Sequence, residues 1–179
     1  MSQFEAFASG VEVNGETVLA VVDGMGAYTK TAYRILHDNG IIEPKPGHWY
    51  PQQSWLDAFR EIAEKVGPNT VHRIGVKIPN NAIFPQSIDS LAKALESIDI
   101  AYHINHRGGE IGRYGFLLDD RRSATIHCEN PYPCEFDRGI IEAIASKFRP
   151  PGAIVTTEHQ PTPRCRKDGG RTCVYCVRW

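Results

Sequence analysis

Five cysteines, Cys128, Cys134, Cys165, Cys173 and Cys176, all fall between residue 128 and the C-terminus of a 179-residue chain. The stretch Cys165-Arg-Lys-Asp-Gly-Gly-Arg-Thr-Cys173 carries the most chemistry. Glycine takes positive φ without steric penalty, so Asp168-Gly169-Gly170 suits a three-residue hairpin loop. That loop sets Lys167 opposite Arg171 and Cys165 opposite Cys173, with Cβ atoms about 4.5–5.5 Å apart. Two thiolates so placed can both reach a zinc ion through bonds of about 2.3 Å. Cys134 follows Asn130-Pro-Tyr-Pro133 at the expected start of a helix, where the macrodipole favours the thiolate a metal needs. Cys176 lies three residues beyond Cys173 on an expected strand, so side-chain alternation turns it to the other face. Cys134, Cys165 and Cys173 are therefore the candidate metal ligands. A tetrahedral site needs a fourth, and Glu158, His159 and Cys128 are the candidates the residues leave open. The plain reading of Cys128 and Cys176 is that of small buried hydrophobes.

A second group is Tyr102-His103-Ile-Asn-His106. Either histidine could hydrogen-bond a ligand or serve as an axial haem ligand. The plainer reading of both is a histidine at the core's edge donating to backbone. His48, Trp49 and Tyr50 sit in a proline-rich loop and could cover a pocket, Trp and Tyr supplying stacking area and one polar atom each; a loop stapled to its own core explains them equally well. Gly108-Gly109-x-x-Gly112 lacks the Lys-Ser/Thr of a phosphate-binding loop and reads as a turn. Arg164, Arg166, Lys167, Arg171 and Arg178 make the C-terminus basic, as a solvated hairpin often is.

These residues need elements to position them. Asn14-Gly15, between apolar runs from Gly10 to Val22, suits a hairpin turn. A helix is expected next, with Tyr28, Ala32, Ile35 and Leu36 on one face and Asn39-Gly40 as its stop. Pro44 to Pro51 reads as a rigid loop without regular structure. From Gln52 the stripe Trp55, Phe59, Ile62, Ala63, Val66 is helical, and Gly67 ends it. Another helix is expected from about Pro85, burying Ile88, Leu91, Ala92, Leu95 and Ile98. Ile111 to Leu118 and Ser123 to Glu129 form a hairpin around Asp119–Arg122. A helix runs from about Glu135 to Phe148, stopped by Pro150-Pro151-Gly152. Ala153 to Glu158 and Thr172 to Trp179 are strands. Hairpins grouped between helices favour an α+β fold with a mostly antiparallel sheet.

Composition sets the bounds. No repeat or long linker divides the chain, so one domain over 1–179 is expected. The net charge of −1 and 41% hydrophobic residues are ordinary and give no electrostatic reason to expect nucleic acid or membrane as partners. Neither a signal peptide nor a membrane span is visible. A reducing cytoplasm is thus expected, where clustered cysteines bind metal or catalyse more often than they pair.

Cys134-Glu-Phe-Asp-Arg-Gly139, the amphipathic helix, a short strand and then Cys165-x7-Cys173 with its alternating strand resemble the 4-vinyl reductase domain family. The specific part covers about residues 128 to 179. The resemblance implies the ligand-binding fold shared with nitric-oxide-signalling and Golgi-transport proteins, commonly dimeric, holding a small hydrophobic or aromatic ligand between helices and sheet. It also implies zinc beside the pocket, held by Cys134, Cys165 and Cys173. The family's fourth ligand is a glutamate at the offset of Thr162. Glu158 takes that role if Gln160–Pro163 is an insertion. The leading expectation is thus a sensory module, passing its signal to a partner protein or through its dimer, with His103, His106, Trp49 and Tyr102 toward the ligand. The alternatives are an enzyme, a reductase or tetrapyrrole-processing protein, and a haem-binding gas sensor. A zinc-dependent nucleic-acid module would show two CxxC knuckles, which this chain lacks.

Overall fold

The computed structural model describes residues 3–161 and 165–179. In chain order the elements are β1 (Glu12–Asn14), α1 (Gly15–Met25), α2 (Thr29–Asp38), β2 (Trp49–Pro51), α3 (Gln52–Lys65), α4 (Pro68–Asn81), α5 (Leu91–Ile104), β3 (His106–Arg107), β4 (Arg113–Asp120), β5 (Ser123–Glu129), α6 (Cys134–Lys147), β6 (Thr156–His159) and β7 (Cys173–Arg178). A small sheet has the order β2-β1-β3 and a larger one β4-β5-β7-β6. Every pairing is antiparallel, so the α+β class expected from the sequence is the one found.

Several expectations are corrected. Asn14-Gly15 is no hairpin turn: Asn14 caps α1, its side chain accepting from the Thr17 amide at 3.0 Å. The apolar residues that follow continue as a helix, burying Val18, Val21 and Met25. Tyr28 lies before α2 and is exposed. Trp49–Pro51, expected to be irregular, pairs with β1 as an edge strand, a place where proline's missing N–H does no harm. The helix expected from Pro85 begins at Leu91, where the Ser90 side chain caps it. It also runs on through Tyr102 and His103.

No element was expected over 68–81, yet α4 forms there. Proline opens it, and Val71, Ile74, Gly75 and Ile78 make its buried stripe. Its role is to seat α6. A Cβ on Gly75 would lie 2.2 Å from the Phe136 carbonyl oxygen, and one on Gly139 2.2 Å from that of His72. The two backbones therefore touch, and only glycine at both positions allows it. This contact fixes the first turn of α6, from which both sites below are built.

Candidate metal centre and ligand cavity

Cys134 is the first residue of α6. Cys173 opens β7, and Cys165 precedes a 3-10 turn over Arg166–Asp168 whose amides at Asp168 and Gly170 close back on the Cys165 carbonyl at 2.8 and 2.9 Å. The hairpin expected around Asp168-Gly169-Gly170 is therefore absent. Gly169 instead ends the 3-10 turn in the left-handed region, and the residue opposite Cys173 in the ladder is Cys128. The three thiols nevertheless meet. Their sulfur atoms are separated by 3.2 Å (Cys134–Cys165), 3.2 Å (Cys134–Cys173) and 3.3 Å (Cys165–Cys173).

The fourth donor beside them is His159 at the end of β6; one donor atom from each of the four residues lies within 4.8 Å of the others. The His159 ring is stacked on Tyr175, with centroids 4.6 Å apart, and the Tyr175 hydroxyl donates to the Cys134 carbonyl at 2.7 Å. Glu158 belongs to the other face of β6. It pairs with Arg178 at 3.0 Å and stands opposite Cys176 in the ladder. Neighbouring residues of a strand face opposite ways, so His159 replaces Glu158 as the candidate ligand. Thr162, the family's fourth-ligand offset, and Arg164 lie outside the described residues. Cys128 is fully buried outside the donor group, and Cys176 is half-buried on the far face of β7.

The electrostatics favour ionisation at one sulfur. The hydrogen bond from Cys134 and the Arg166 charge bring the Cys173 thiol down to about 4. Cys134 is pushed up by giving that bond and by burial, and Cys165 is raised chiefly by burial. Arg166 itself is buried. Its guanidinium pairs with the fully buried Asp137 and donates to the backbone and side-chain oxygens of Asn130.

On the other side of the α6 first turn is an apolar cavity of about 30 Å³, lined by Thr17, Trp55, Ile78, Ala82, Phe84, Ile98, Ala101, Tyr102, Asn105, His106, Tyr114, Tyr132, Phe136 and Ile140. That is room for one or two waters. His106 is buried in its wall. Its Nδ1 lies 2.7 Å from the Tyr102 carbonyl and its Nε2 2.6 Å from the Tyr132 hydroxyl. A carbonyl can only accept, so Nδ1 carries the proton and Nε2 presents a lone pair. Burial pushes His106 down to about 4, keeping it neutral. Tyr132 donates to it and accepts from Gln52 at 2.9 Å. Burial raises the hydroxyls of Tyr102, Tyr114 and Tyr132. Two side-chain atoms of the lining residues, Thr17 Oγ1 and Trp55 Nε1, are buried without a hydrogen-bond partner, and the surface turned to the cavity is wholly apolar.

Of the residues expected to face a ligand, Tyr102 and His106 line the cavity. His103 and Trp49 do not. The His103 ring is exposed, 2.9 Å from the Asp99 carbonyl, and Trp49 lies under the Arg107 guanidinium, 4.3 Å from its ring centroid. The loop before Trp49 is stapled to itself, the Lys45 amide donating to the Tyr50 hydroxyl at 2.9 Å. Trp55, Thr17, Tyr114 and Tyr132 were missed as site residues. Trp55 was legible only as a core position of α3, and nothing local in the sequence marks the others.

No family model matches the chain, and no curated protein does. Solved structures do match. One is an H-NOX protein from S. oneidensis in the Fe(II) ligation state, a triple mutant, with a TM-score of 0.70, 13% identity, and coverage of 92% of this chain and 95% of that one. The chain has the H-NOX fold. A double-mutant Tt H-NOX aligns with a TM-score of 0.65 at 15% identity over 93% of this chain and 94% of that chain. An oxygen-binding H-NOX domain related to soluble guanylate cyclases aligns at 0.63 and 16%, over 92% and 91%. The nitric-oxide-signalling fold implied by the sequence resemblance is thus found, with the 4-vinyl reductase family itself unmatched.

Proposed function

We propose that the chain is a ligand-sensing domain that takes a small, uncharged molecule into the cavity beside His106, with a zinc ion held by Cys134, Cys165, Cys173 and His159 pinning α6 to β6 and β7. One observation carries the ligand: the core keeps an unfilled cavity with a wholly apolar surface beside the neutral His106. Cavities of this kind stay dry, and an apolar guest of a few atoms supplies the dispersion contacts that the void forgoes. The wall contains no lysine or arginine, which favours a neutral guest. The donor set fits zinc, three sulfurs and one imidazole being a common structural combination. Four protein donors leave no open position, which supports a structural role over catalysis at the metal.

The test is a thermal-shift panel of neutral gases and molecules of two or three heavy atoms on the purified protein, with metal analysis alongside. Stabilisation by a panel member, lost when Ala101→Leu fills the cavity, is expected, with about one zinc per chain in a colourless protein. No shift across the panel would count against the cavity reading.

A second reading is a haem-binding gas sensor. The structural neighbours favour it, one in an Fe(II) ligation state and one an oxygen complex, and so does the Nε2 lone pair that His106 turns toward Tyr132. The walls do not fit a porphyrin. The cavity of about 30 Å³ is an order of magnitude below the roughly 300–1,000 Å³ of cofactor-sized pockets, and no cation lines it to meet propionates. Haemin titration followed by absorbance decides between the readings. A stoichiometric Soret band that His106→Ala abolishes would establish the sensor reading in place of the first.

A further inference from the structure

We infer that the thiol–imidazole centre and the cavity are coupled through one buried polar relay, Arg166 with Asp137 and Asn130, so that metal at one end tightens the wall at the other. The inference rests on the reading of both sites given above and adds their regulation.

Arg166 follows Cys165 directly, in a turn whose amides close on the Cys165 carbonyl. Its place is therefore set by where Cys165 is held. The side chain is 2% exposed and that of Asp137 is 0% exposed, so this is the one ion pair among the described residues with both members buried. A buried charge stripped of its partner is strongly destabilising, so the two move together or not at all.

Both groups that Arg166 grips also hold a tyrosine of the cavity wall. Asp137 accepts from the Tyr114 hydroxyl at 2.6 Å. The Asn130 side-chain oxygen accepts from the Tyr132 amide at 2.9 Å. Tyr114 and Tyr132 are both in edge contact with Tyr102, at 5.2 and 6.1 Å between centroids, and Tyr102 sits on the last turn of α5. A metal that fixes Cys165 and Cys173 thus fixes Arg166, and through two separate hydrogen-bonded arms it fixes the tyrosines lining the cavity. Without metal, Cys165 loses its tie to Cys134 and Cys173. The segment is then held by the bonds of Arg166 to Asp137 and Asn130 and by that of Thr172 to Glu129 at 3.3 Å, and the arms slacken together. Coupling of this kind is reciprocal: whatever occupies the cavity tightens the metal by the same factor.

The full-length chain, stripped with a chelator and then titrated with zinc, gives the test. Zinc stoichiometry is measured directly, and hydrogen exchange is followed over residues 98–106, the end of α5 and the start of β3, which carry none of the proposed metal donors. In the parent, zinc is expected to slow exchange there by about fivefold or more, the lower end of typical coupling factors. In the double variant Arg166→Met, Asp137→Asn, which leaves neither charge unpaired, zinc still binds and exchange at 98–106 no longer responds. Tyr114→Phe removes one arm and at least halves the response, and it carries the test alone if the double variant fails to fold. Zinc bound by the parent with no change at 98–106, or a full parental response in the variants, overturns the relay. Failure of the parent to bind zinc overturns both the metal reading and the relay, and the stoichiometry shows that case apart from the others.

Discussion

Replacing His106 by glutamine should remove most of an acid-sensitivity that this side chain gives the fold. His106 is driven down to about 4 mainly by burial, aided by the charge of His103 and opposed by its bond to the Tyr102 carbonyl. An unfolded chain returns it to about 6.5. The unfolded state therefore binds the extra proton first as pH falls, so His106 contributes stability that is complete above about pH 6.5 and is lost between there and about pH 4. At 1.36 kcal/mol per pH unit that loss is about 3 kcal/mol. Glutamine keeps the bonding pattern, its amide donating toward the Tyr102 carbonyl and its oxygen accepting from Tyr132, without a titrating group. Urea midpoints of both proteins are measured from pH 4 to 8 with chelator present, so that acid loss of a metal adds nothing. Groups shared by both, such as Asp137, whose carboxyl burial raises, cancel in the difference. The parent should lose about 3 kcal/mol more than the variant across that window. Parallel curves would mean that His106 is neither buried nor neutral as argued.

Three further outcomes follow from the geometry. Cys134→Ser and Cys173→Ser should abolish stoichiometric zinc and His159→Ala should weaken it. Glu158→Gln and Cys176→Ser, on the opposite faces of their strands, should leave it unchanged by metal analysis. Arg166→Met strands the Asp137 carboxylate in the core and should cost about 3–5 kcal/mol in denaturant unfolding, with adding Asp137→Asn recovering much of it. Gly139→Ala sets a methyl against the His72 carbonyl and should cost about 1–3 kcal/mol or more, read as a lower thermal midpoint.

Long periodic elements were legible in the sequence, and short ambiguous signals were not. The stripe from Trp55 and the run from Phe136 to Ile144 repeat at the helical period, and α3 and α6 lie where that period puts them. Asn14-Gly15 suits a tight turn and a helix cap alike, and only the packing of Val18 and Val21 into the core settles it as a cap. In α4 an internal Pro79 obscures a stripe that tertiary contact with α6 stabilises. Asp168-Gly169-Gly170 is sound local hairpin chemistry that long-range pairing overrides, because β7 finds its partners in β5 and β6. The cysteines meet all the same, through a 3-10 turn the spacing did not suggest. Between Glu158 and His159 the difference is one residue on a strand, hence one face against the other, and no property of either side chain reveals that parity beforehand.

The placement of the two sites on α6 has its own logic. Cys134 and Asp137 are three residues apart, so they are neighbours on one side of the first turn, and Phe136 and Ile140 reach the cavity from the same helix. A shift of that turn by an ångström would disturb thiols, ion pair and cavity wall together. The fold prevents such a shift on one side by glycine-mediated backbone contact with α4. On the other side the restraint comes from the segment between Cys165 and Cys173, anchored by the thiol centre and by the buried Arg166–Asp137 pair. A metal bound there acts less by chemistry at the ion than by completing the clamp on α6, which is why its removal should be felt in the cavity before it is felt in the global fold.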